Sequence, residues 1–394
     1  MKPILFLLLL ATTFSQAVPD GLAVWQAKDA APRGPDQERS LTKEQAEATR
    51  DKLATEVLAK LKTERSAELD AKAITIGDKT LKWLEKDYGK GKDGKYALFI
   101  SMHGGGSGPK EMNDGQWQNQ ILLYKPKDGI YVAPRAPTDA WNMWHEAHID
   151  PLFSRLIEDM IAVRNVDANR VYLTGYSAGG DGVWQLAPRM ADRFGAAAMM
   201  AGHPNDASLL GLRNLPFAIY CGGADAAYDR NKICAAKGVE LDALQKADPE
   251  GYEHRVNIYP GLPHWMNGKD AEAIPWMMDH TRNPWPKKIV WVQDDVTHDR
   301  FYWLEIPPGS AKAGQKIVAT VAGNEISLKG DVPKGTAILL TDSLLDLDKP
   351  VVVKINGTES FKGIVKRSAE VISAGLKARP DVAQCPFASL KVDQ

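Results

Sequence analysis

Residues Asn169–Trp184 read NRVYLTGYSAGGDGVW, and this stretch decides the fold of the 394-residue chain. Val171–Thr174 is a short apolar run, as a buried strand requires, and a helix-compatible stretch covers 182–193. Between them, Gly175–Gly179 match G-x-S-x-G, the pattern of a nucleophile elbow. Such a tight turn raises the hydroxyl of Ser177 above the sheet edge, where a histidine can reach it. The stretch therefore predicts that Ser177 is a nucleophile.

A second glycine-rich turn follows the predicted strand Tyr96–Ser101, where His103 opens the tetrapeptide HGGG. A strand that runs into HGGG is the oxyanion-hole element that accompanies nucleophile elbows. Glycines leave the backbone bare, so N–H groups can turn inward and stabilise a negative oxygen. We expect one donor from Gly104 or Gly105 and the other from the N–H of Ala178. His103 itself is expected to brace the loop rather than transfer protons.

An acid should follow the serine along the chain, and a base should follow the acid. The predicted strand Phe217–Cys221 runs into Gly-Gly-Ala and then Asp225. Ligands bind at the carboxyl ends of the strands in an α/β sheet, so a carboxylate just past a strand lies at the functional edge. Asp225 is the expected acid, with Asp229 and Asp206 as rivals.

The expected base is His264, which follows the predicted strand Arg255–Tyr259 in the sequence PGLPHW. A histidine in a loop after the final strand of the sheet lies over the serine. Among the other histidines after the elbow, His203, His254 and His280 precede the acid or fall in less suitable places.

Short apolar segments alternate with helical ones from about residue 74 onward. Several of them are apolar nearly throughout, as strands covered on both faces should be. This alternation predicts the α/β class, with a mostly parallel sheet and helices on both faces. The further segments are predicted strands at 73–76, 80–86, 130–133 and 196–200 and a predicted helix at 150–164.

The N-terminal part has the pattern of an export signal. Lys2 precedes the apolar run Ile4–Leu10, and Ser15–Ala17 resembles a small-x-small cleavage site. Residues 1–17 are therefore predicted to be a signal peptide of a secreted or periplasmic protein with no membrane span, and an uncleaved anchor is the alternative. Residues 18–72 are predicted to form a proline-containing linker followed, from about residue 41, by a charged amphipathic helix.

The composition and the motifs argue against several partners, a disulfide scaffold and a metal site. The 49 basic and 50 acidic side chains nearly cancel, which argues against nucleic acid or a polybasic membrane contact. Three cysteines are too few for a disulfide scaffold, and Cys221 and Cys234 either pair or are buried thiols. No H-E-x-x-H or C-x-x-C pattern indicates a metal.

The last fifth of the chain differs in character from the predicted catalytic domain, 73–286. Closely spaced strand candidates with turn residues between them predict a small all-β domain over 287–394, ended by a helix at about 366–377. Trp291, Tyr302 and Trp303 are either ring-stacking residues or buried aromatics of a structural appendage. The strand candidates are 288–293, 301–306, 316–322, 325–328, 336–340, 351–355 and 360–365.

The wall of the predicted pocket is less specific. Trp141 and Trp144 follow the predicted strand at 130–133 at the same sheet edge. They would form a flat platform for a sugar ring or an aromatic acyl group, but large aromatics fill cores at least as often. Both interpretations stay open.

The order HGGG, GYSAGGDGVW, GGAD, GLPHW resembles the α/β-hydrolase superfamily over about 73–285. Within it, the chain is similar to exported esterases that are polyhydroxybutyrate-depolymerase-like, feruloyl-esterase-like or phospholipase/carboxylesterase-like. The resemblance implies a serine esterase without a cofactor, acting on esters of a polysaccharide or a small polyester. A serine peptidase of the same fold and an inactive hydrolase scaffold that serves as a binding module are the alternatives. The oligomeric state stays unknown.

Overall fold

A central sheet of eight strands organises the computed structural model, which describes residues 40–393. The strands are β1 (Ala73–Ile76), β2 (Lys79–Asp87), β3 (Tyr96–Met102), β4 (Ile130–Arg135), β5 (Val166–Tyr176), β6 (Ala196–Met200), β7 (Phe217–Gly222) and β8 (His254–Tyr259). Their order is β1-β2-β4-β3-β5-β6-β7-β8. The pairs β1–β2 and β2–β4 are antiparallel, and the remaining neighbours are parallel. The predicted mostly parallel α/β sheet is confirmed.

Helices cover both faces of this sheet. They are α1 (Lys43–Ala71), α2 (Lys110–Leu123), α3 (Ile149–Arg164), α4 (Ala178–Arg189), α5 (Arg230–Ala247) and α6 (Ala273–Met278). Side chains of β3 show why the strand is apolar throughout: Leu98 and Ile100 join the core on one face, and Ala97 and Phe99 join the core on the other. A strand buried on both faces has no polar side, so alternation disappears from its sequence.

The long helix α1 begins where the sequence predicts a helix from about residue 41. The Thr42 side chain accepts a hydrogen bond from the Gln45 N–H, and the Gln45 side chain accepts one from the Thr42 N–H, which forms a capping box. The helix lies against α3, where Arg65 donates to Asp159 at 3.0 Å. The predicted signal peptide (1–17) and most of the predicted linker lie outside the described residues.

The C-terminal part contains two further sheets. Its elements are β9 (Lys288–Val292), β10 (Arg300–Phe301), β11 (Leu304–Glu305), β12 (Lys316–Ala322), β13 (Glu325–Gly330), β14 (Thr336–Leu340), β15 (Val351–Ile355), β16 (Thr358–Gly363), α7 (Ala369–Ala378) and β17 (Ala388–Val392). One sheet has the order β10-β11-β14-β17, and the other has the order β16-β15-β13-β12-β9. The predicted β-rich character is confirmed, whereas the prediction that a helix ends the chain is wrong, because β17 follows α7 and pairs with β14.

The C-terminal sheets share a hydrophobic core with the central sheet, and residues 40–393 belong to one compact unit. Buried polar contacts join the two parts: the Tyr302 hydroxyl donates to the Ala191 carbonyl at 3.2 Å, and Arg282 donates to Asp381 at 2.6 Å. The domain boundary at 286/287 stays a prediction.

The C-terminal aromatics lie inside this core. Trp291, Tyr302 and Trp303 are all buried, and the Trp303 indole donates to the Pro286 carbonyl at 2.8 Å. Their alternative role as ring-stacking residues is therefore wrong, because none of them presents a ring to solvent.

The structure also bears on the state of the cysteines and on a membrane span. Cys221, Cys234 and Cys385 are buried free thiols in the structure. Within residues 40–393, no helix combines the length and the apolar character that crossing a bilayer requires.

Candidate active site

Ser177 lies at the sharp turn between β5 and α4. Its backbone has φ 59° and ψ −120°, a conformation that non-glycine residues rarely adopt and that concentrates at functional sites. A Cβ on Gly175 would collide with the Gly179 backbone, and a Cβ on Gly179 would collide with the Met102 carbonyl. Only glycines therefore fit at both ends of the pentapeptide. The helix begins at Ala178 and not near residue 182, so the turn is even tighter than the sequence indicates.

Asp225 and His264 lie together at the carboxyl ends of β7 and β8. The distance between His264 Nδ1 and Asp225 Oδ2 is 2.7 Å. Asp225 is 3% exposed, so its carboxylate is shielded from water and depends on hydrogen bonds and charges of neighbouring side chains for stabilisation. The rival carboxylates lie elsewhere, since Asp229 pairs with Lys232 on the surface and Asp206 accepts from Gln185.

The loop that carries His264 is fastened to the strand that carries the elbow. The Tyr176 hydroxyl donates to the His264 carbonyl at 2.7 Å, and the Met266 N–H donates to the Tyr176 oxygen at 3.1 Å. Since Tyr176 precedes Ser177, these bonds fasten the loop of His264 to the end of the strand that carries the turn. Among the described residues, Ser177 makes no side-chain hydrogen bond. Such catalytic contacts often form only when substrate is bound.

The HGGG loop approaches Ser177 closely. A Cβ built on Gly104 would lie 3.1 Å from the Ser177 Cβ and 3.7 Å from its Oγ. Gly105 has φ 110°, and a Cβ there would collide with the Asn113 side chain, which accepts from the Gly106 N–H at 2.8 Å. The N–H groups of Gly104, Gly105 and Ala178 donate to no acceptor in residues 40–393. They are available to a negative oxygen of a ligand.

His103 supports this loop from beneath as a neutral imidazole. Its Nδ1 donates to the Gly104 carbonyl at 2.6 Å, and its Nε2 accepts from the Ala136 N–H at 3.2 Å. Burial lowers the pKa of His103 to about 4, so the ring is uncharged at neutral pH. The indole of Trp144 donates to the His103 carbonyl at 2.8 Å.

The two predicted platform tryptophans differ. Trp144 is fully buried under the HGGG loop, so its predicted contact with substrate is wrong: its indole braces the loop. Trp141 is 60% exposed and lies beside the loop, because a Cβ on Gly106 would lie 3.3 Å from the Trp141 Cα. A third indole, that of Trp265, is 48% exposed and packs 5.6 Å from the Tyr176 ring. Trp265 was not among the predicted site residues, although its position directly after His264 indicates a place near the site.

Two charged side chains near the pair escaped the sequence analysis. Arg230, the first residue of α5, contacts both Asp225 and His264. Asp181, in the first turn of α4, accepts from the His203 N–H at 2.6 Å. Burial raises the pKa of Asp181 to about 6, against a lowering influence of Arg230. Within the described part of the chain, no group of three or more histidine, cysteine or carboxylate side chains is arranged to hold a metal ion.

The eight-stranded sheet with a serine elbow after β5 defines the α/β-hydrolase class. Residues 127–294 match the model of the Dienelactone hydrolase family, so this part of the chain is similar to that family of the α/β-hydrolase superfamily. The matched segment includes Ser177, Asp225 and His264. A search of the curated proteins finds no match.

Solved structures similar to the chain have low identity. A thermostable esterase is 20% identical, with 53% of this chain and 62% of that one covered and a TM-score of 0.39. The carboxylesterase of Bacillus cereus is 15% identical, with 50% and 94% covered and a TM-score of 0.35. A mutant feruloyl esterase module from Clostridium thermocellum, complexed with sinapinate, is 17% identical, with 50% and 82% covered and a TM-score of 0.32. At these scores no substrate follows from the likeness.

Proposed function

We propose that the protein is a serine esterase in which Ser177, His264 and Asp225 act as a catalytic triad. The observation that carries this proposal is the 2.7 Å contact between His264 Nδ1 and Asp225 Oδ2, in loops fastened beside the elbow. The acid, the base and the nucleophile lie at the same edge of one sheet. This edge is where α/β folds bind their ligands.

The mechanism follows from the directions of the hydrogen bonds. With Nδ1–H donated to Asp225, the His264 ring keeps a lone pair on Nε2, which takes the proton of Ser177 as the hydroxyl attacks the ester carbonyl. The alcohol leaves with that proton, and water then hydrolyses the acyl-serine. The free N–H groups of Ala178 and of Gly104 or Gly105 stabilise the tetrahedral oxyanion by about 3 kcal/mol per donor.

The substrate class that fits the site is an ester attached to a ring, such as an acylated polysaccharide or an aromatic acyl ester. Two exposed indoles belong to loops around the elbow: Trp141 lies beside the HGGG loop, and Trp265 follows His264 and packs against Tyr176. Exposed tryptophans are unusual on a protein surface, and a flat face suits the apolar face of a sugar or an aromatic ring.

The test is a panel of p-nitrophenyl esters, acetylated xylan, methyl ferulate and a peptide p-nitroanilide. We expect Ser177→Ala to lower kcat by at least about 10³-fold on every ester that the wild type cleaves. The matched control is Ser310→Ala, which removes a hydroxyl bonded only to the Pro307 carbonyl and should keep full activity. Equal turnover by wild type and Ser177→Ala would overturn the proposal. A peptide cleaved faster than any ester would favour the peptidase alternative.

Export is a separate part of the proposal. The pattern of residues 1–17 supports a cleaved signal peptide and a secreted or periplasmic enzyme. N-terminal sequencing of the protein recovered from its native host should give Val18 as the first residue. A chain that keeps residues 1–17 would contradict cleavage.

A further inference from the structure

The guanidinium of Arg230 lies against both members of the acid–base pair. Its Nη1 is 2.9 Å from Asp225 Oδ1, 3.1 Å from Asp225 Oδ2 and 3.2 Å from His264 Nδ1. Arg230 is only 7% exposed, so these contacts are shielded from solvent. One nitrogen therefore touches both oxygens of the acid and the ring atom to which the acid is bonded.

Stability alone is a weak reason for such an arrangement. Burying an ion pair costs about as much desolvation energy as the attraction returns, and apolar side chains often serve as well. A second arginine pair offers a comparison: the buried Arg213 contacts both oxygens of the partly exposed Asp248 at 2.7 and 2.8 Å. No ring nitrogen touches that pair. Arg230 differs by its contact with a histidine.

The contacts also define which atom of the histidine carries a proton. Asp225 Oδ2 is closer to His264 Nδ1, at 2.7 Å, than Arg230 is, at 3.2 Å. Since an ionised carboxylate only accepts, the 2.7 Å contact requires that Nδ1–H is donated to it, and the guanidinium, which has only donors, does not compete for that proton. The same cation holds the carboxylate by both oxygens, which prevents rotation of the carboxylate away from the ring.

We propose that Arg230 is a positioning residue of the triad, which holds Asp225 in register with His264 and offsets the negative charge of the acid. The proposal rests on the function proposed above. A positive charge near the imidazole opposes formation of the imidazolium. The charge of Arg230 therefore bears on the acid side of the pH–activity profile, and the effect of removing that charge is the readout of the test below.

Other titratable groups at this corner bear on the pH dependence. The acid limb is the part of the pH–activity profile where activity falls as the pH is lowered. Asp181 on α4 is the titratable group closest to the pH range expected for this limb, since burial raises its pKa to about 6. The groups that face His264, Asp225 or Arg230 are Tyr176 on β5, Cys221 on β7, Asp181 on α4, Tyr228 before α5 and Cys234 on α5.

The experiment is the pH profile of kcat/KM for the full chain on its best p-nitrophenyl ester. For Arg230→Met we expect the acid limb to move upward by about one pH unit, because loss of the cation stabilises the imidazolium. The plateau kcat should fall about tenfold, with KM within about twofold, because the carboxylate loses its second anchor. Arg213→Met, which breaks the comparison pair, should leave the acid limb in place.

Arg230→Lys separates charge from geometry and decides the question if Arg230→Met fails to fold. An ammonium keeps the charge but lacks the planar fork. We expect its acid limb within about 0.3 pH unit of the wild type, with kcat lowered about threefold or more. The proposal is overturned if Arg230→Lys keeps the wild-type kcat. It is also overturned if Arg230→Met folds and its acid limb lies at the same pH as that of the wild type.

Two further outcomes also overturn the proposal. One is an equal limb shift in Arg213→Met, and the other is an acid limb that disappears in Asp181→Asn. Failure of this inference is distinguishable from failure of the proposed function. If Ser177→Ala is inactive while the Arg230 variants behave as wild type, only the role of Arg230 is lost.

Discussion

Two tryptophans at the carboxyl edge of the central sheet and two in the C-terminal sheets have opposite surroundings. Trp141 and Trp265 lie in loops after strands of the central sheet and expose their rings. Trp291 and Trp303 lie in or beside short strands and are buried. The sequence offered all of these positions as ring-stacking candidates except Trp265. The contrast shows that the location of an aromatic residue in the fold, and not its type, decides whether it meets substrate.

The physical reason for this contrast is whether another layer of the protein packs over the aromatic side chain. The C-terminal strands need an apolar surface to pack on, and their aromatics fill the space against the hydrolase sheet, with the Tyr302 hydroxyl and the Trp303 indole each bonded to a carbonyl. Loops at the carboxyl edge have no such layer above them. The indoles of Trp141 and Trp265 stay exposed there, at a cost in apolar hydration that a bound ring would remove, whereas Trp144 is covered by the HGGG loop.

The largest expected effect is on stability and concerns the buried tryptophans of the C-terminal sheets. Trp303→Ala should lower the free energy of unfolding by about 3–5 kcal/mol, because it leaves a cavity and an unpaired carbonyl of Pro286. Trp141→Ala should change it by less than about 0.5 kcal/mol, since the ring is exposed. Urea denaturation of both variants measures the difference. Equal losses would mean that the two regions do not differ as described.

The next effect tests the proposed oxyanion role of the HGGG loop. Gly105→Ala should lower kcat about 100-fold, because the added Cβ meets the Asn113 side chain and displaces a donor. Gly314→Ala is the matched control: its φ of 79° is also left-handed, but no atom lies within 4 Å of the added Cβ. It should lose stability only, with kcat unchanged. A similar kcat for the two variants would argue against the oxyanion role.

A third prediction concerns the pH dependence of stability at the elbow. Burial raises the folded-state pKa of Asp181 to about 6 from 3.8, so the folded state binds more protons than the unfolded state between these values, and stability falls as pH rises. Asp181→Asn removes this loss. Relative to wild type, the variant should gain about 2 kcal/mol between pH 4 and pH 7.5.

The measurement is urea denaturation of both proteins at the two pH values. Asparagine keeps an oxygen that accepts from the His203 N–H, so the contact made by Asp181 is retained. Parallel pH dependences of the two proteins would contradict the raised pKa.

The smallest effect tests the exposed indoles. Trp265→Ala and Trp141→Ala should each raise KM about fivefold on a ring-bearing ester, since one stacking contact is worth about 1 kcal/mol, and should leave KM for p-nitrophenyl acetate unchanged. Leu122→Ala, which trims another exposed apolar side chain on α2, is the control. If both esters lose affinity equally, the indoles support the loops and do not bind a ring.

The turns of the catalytic edge were the part of the fold that could be predicted best. The elbow and HGGG depend on glycines whose added Cβ atoms would collide with nearby backbone or side chains, so their geometry is local. Strand ends were predicted within about five residues. β17 escaped because its sequence, ASLKV, is short and half exposed and becomes a strand only by pairing with β14.

By itself the sequence determined the succession of strands and helices along the chain, the elbow at Ser177 and the loops that carry Asp225 and His264. These features depend on turn chemistry and hydrophobic periodicity, which act over a few residues. Tertiary structure alone decided that Trp144 is buried while Trp265 is exposed, and that Arg230 reaches the acid and the base together. Such contacts join residues far apart along the chain, and their energies depend on burial, which no local pattern specifies.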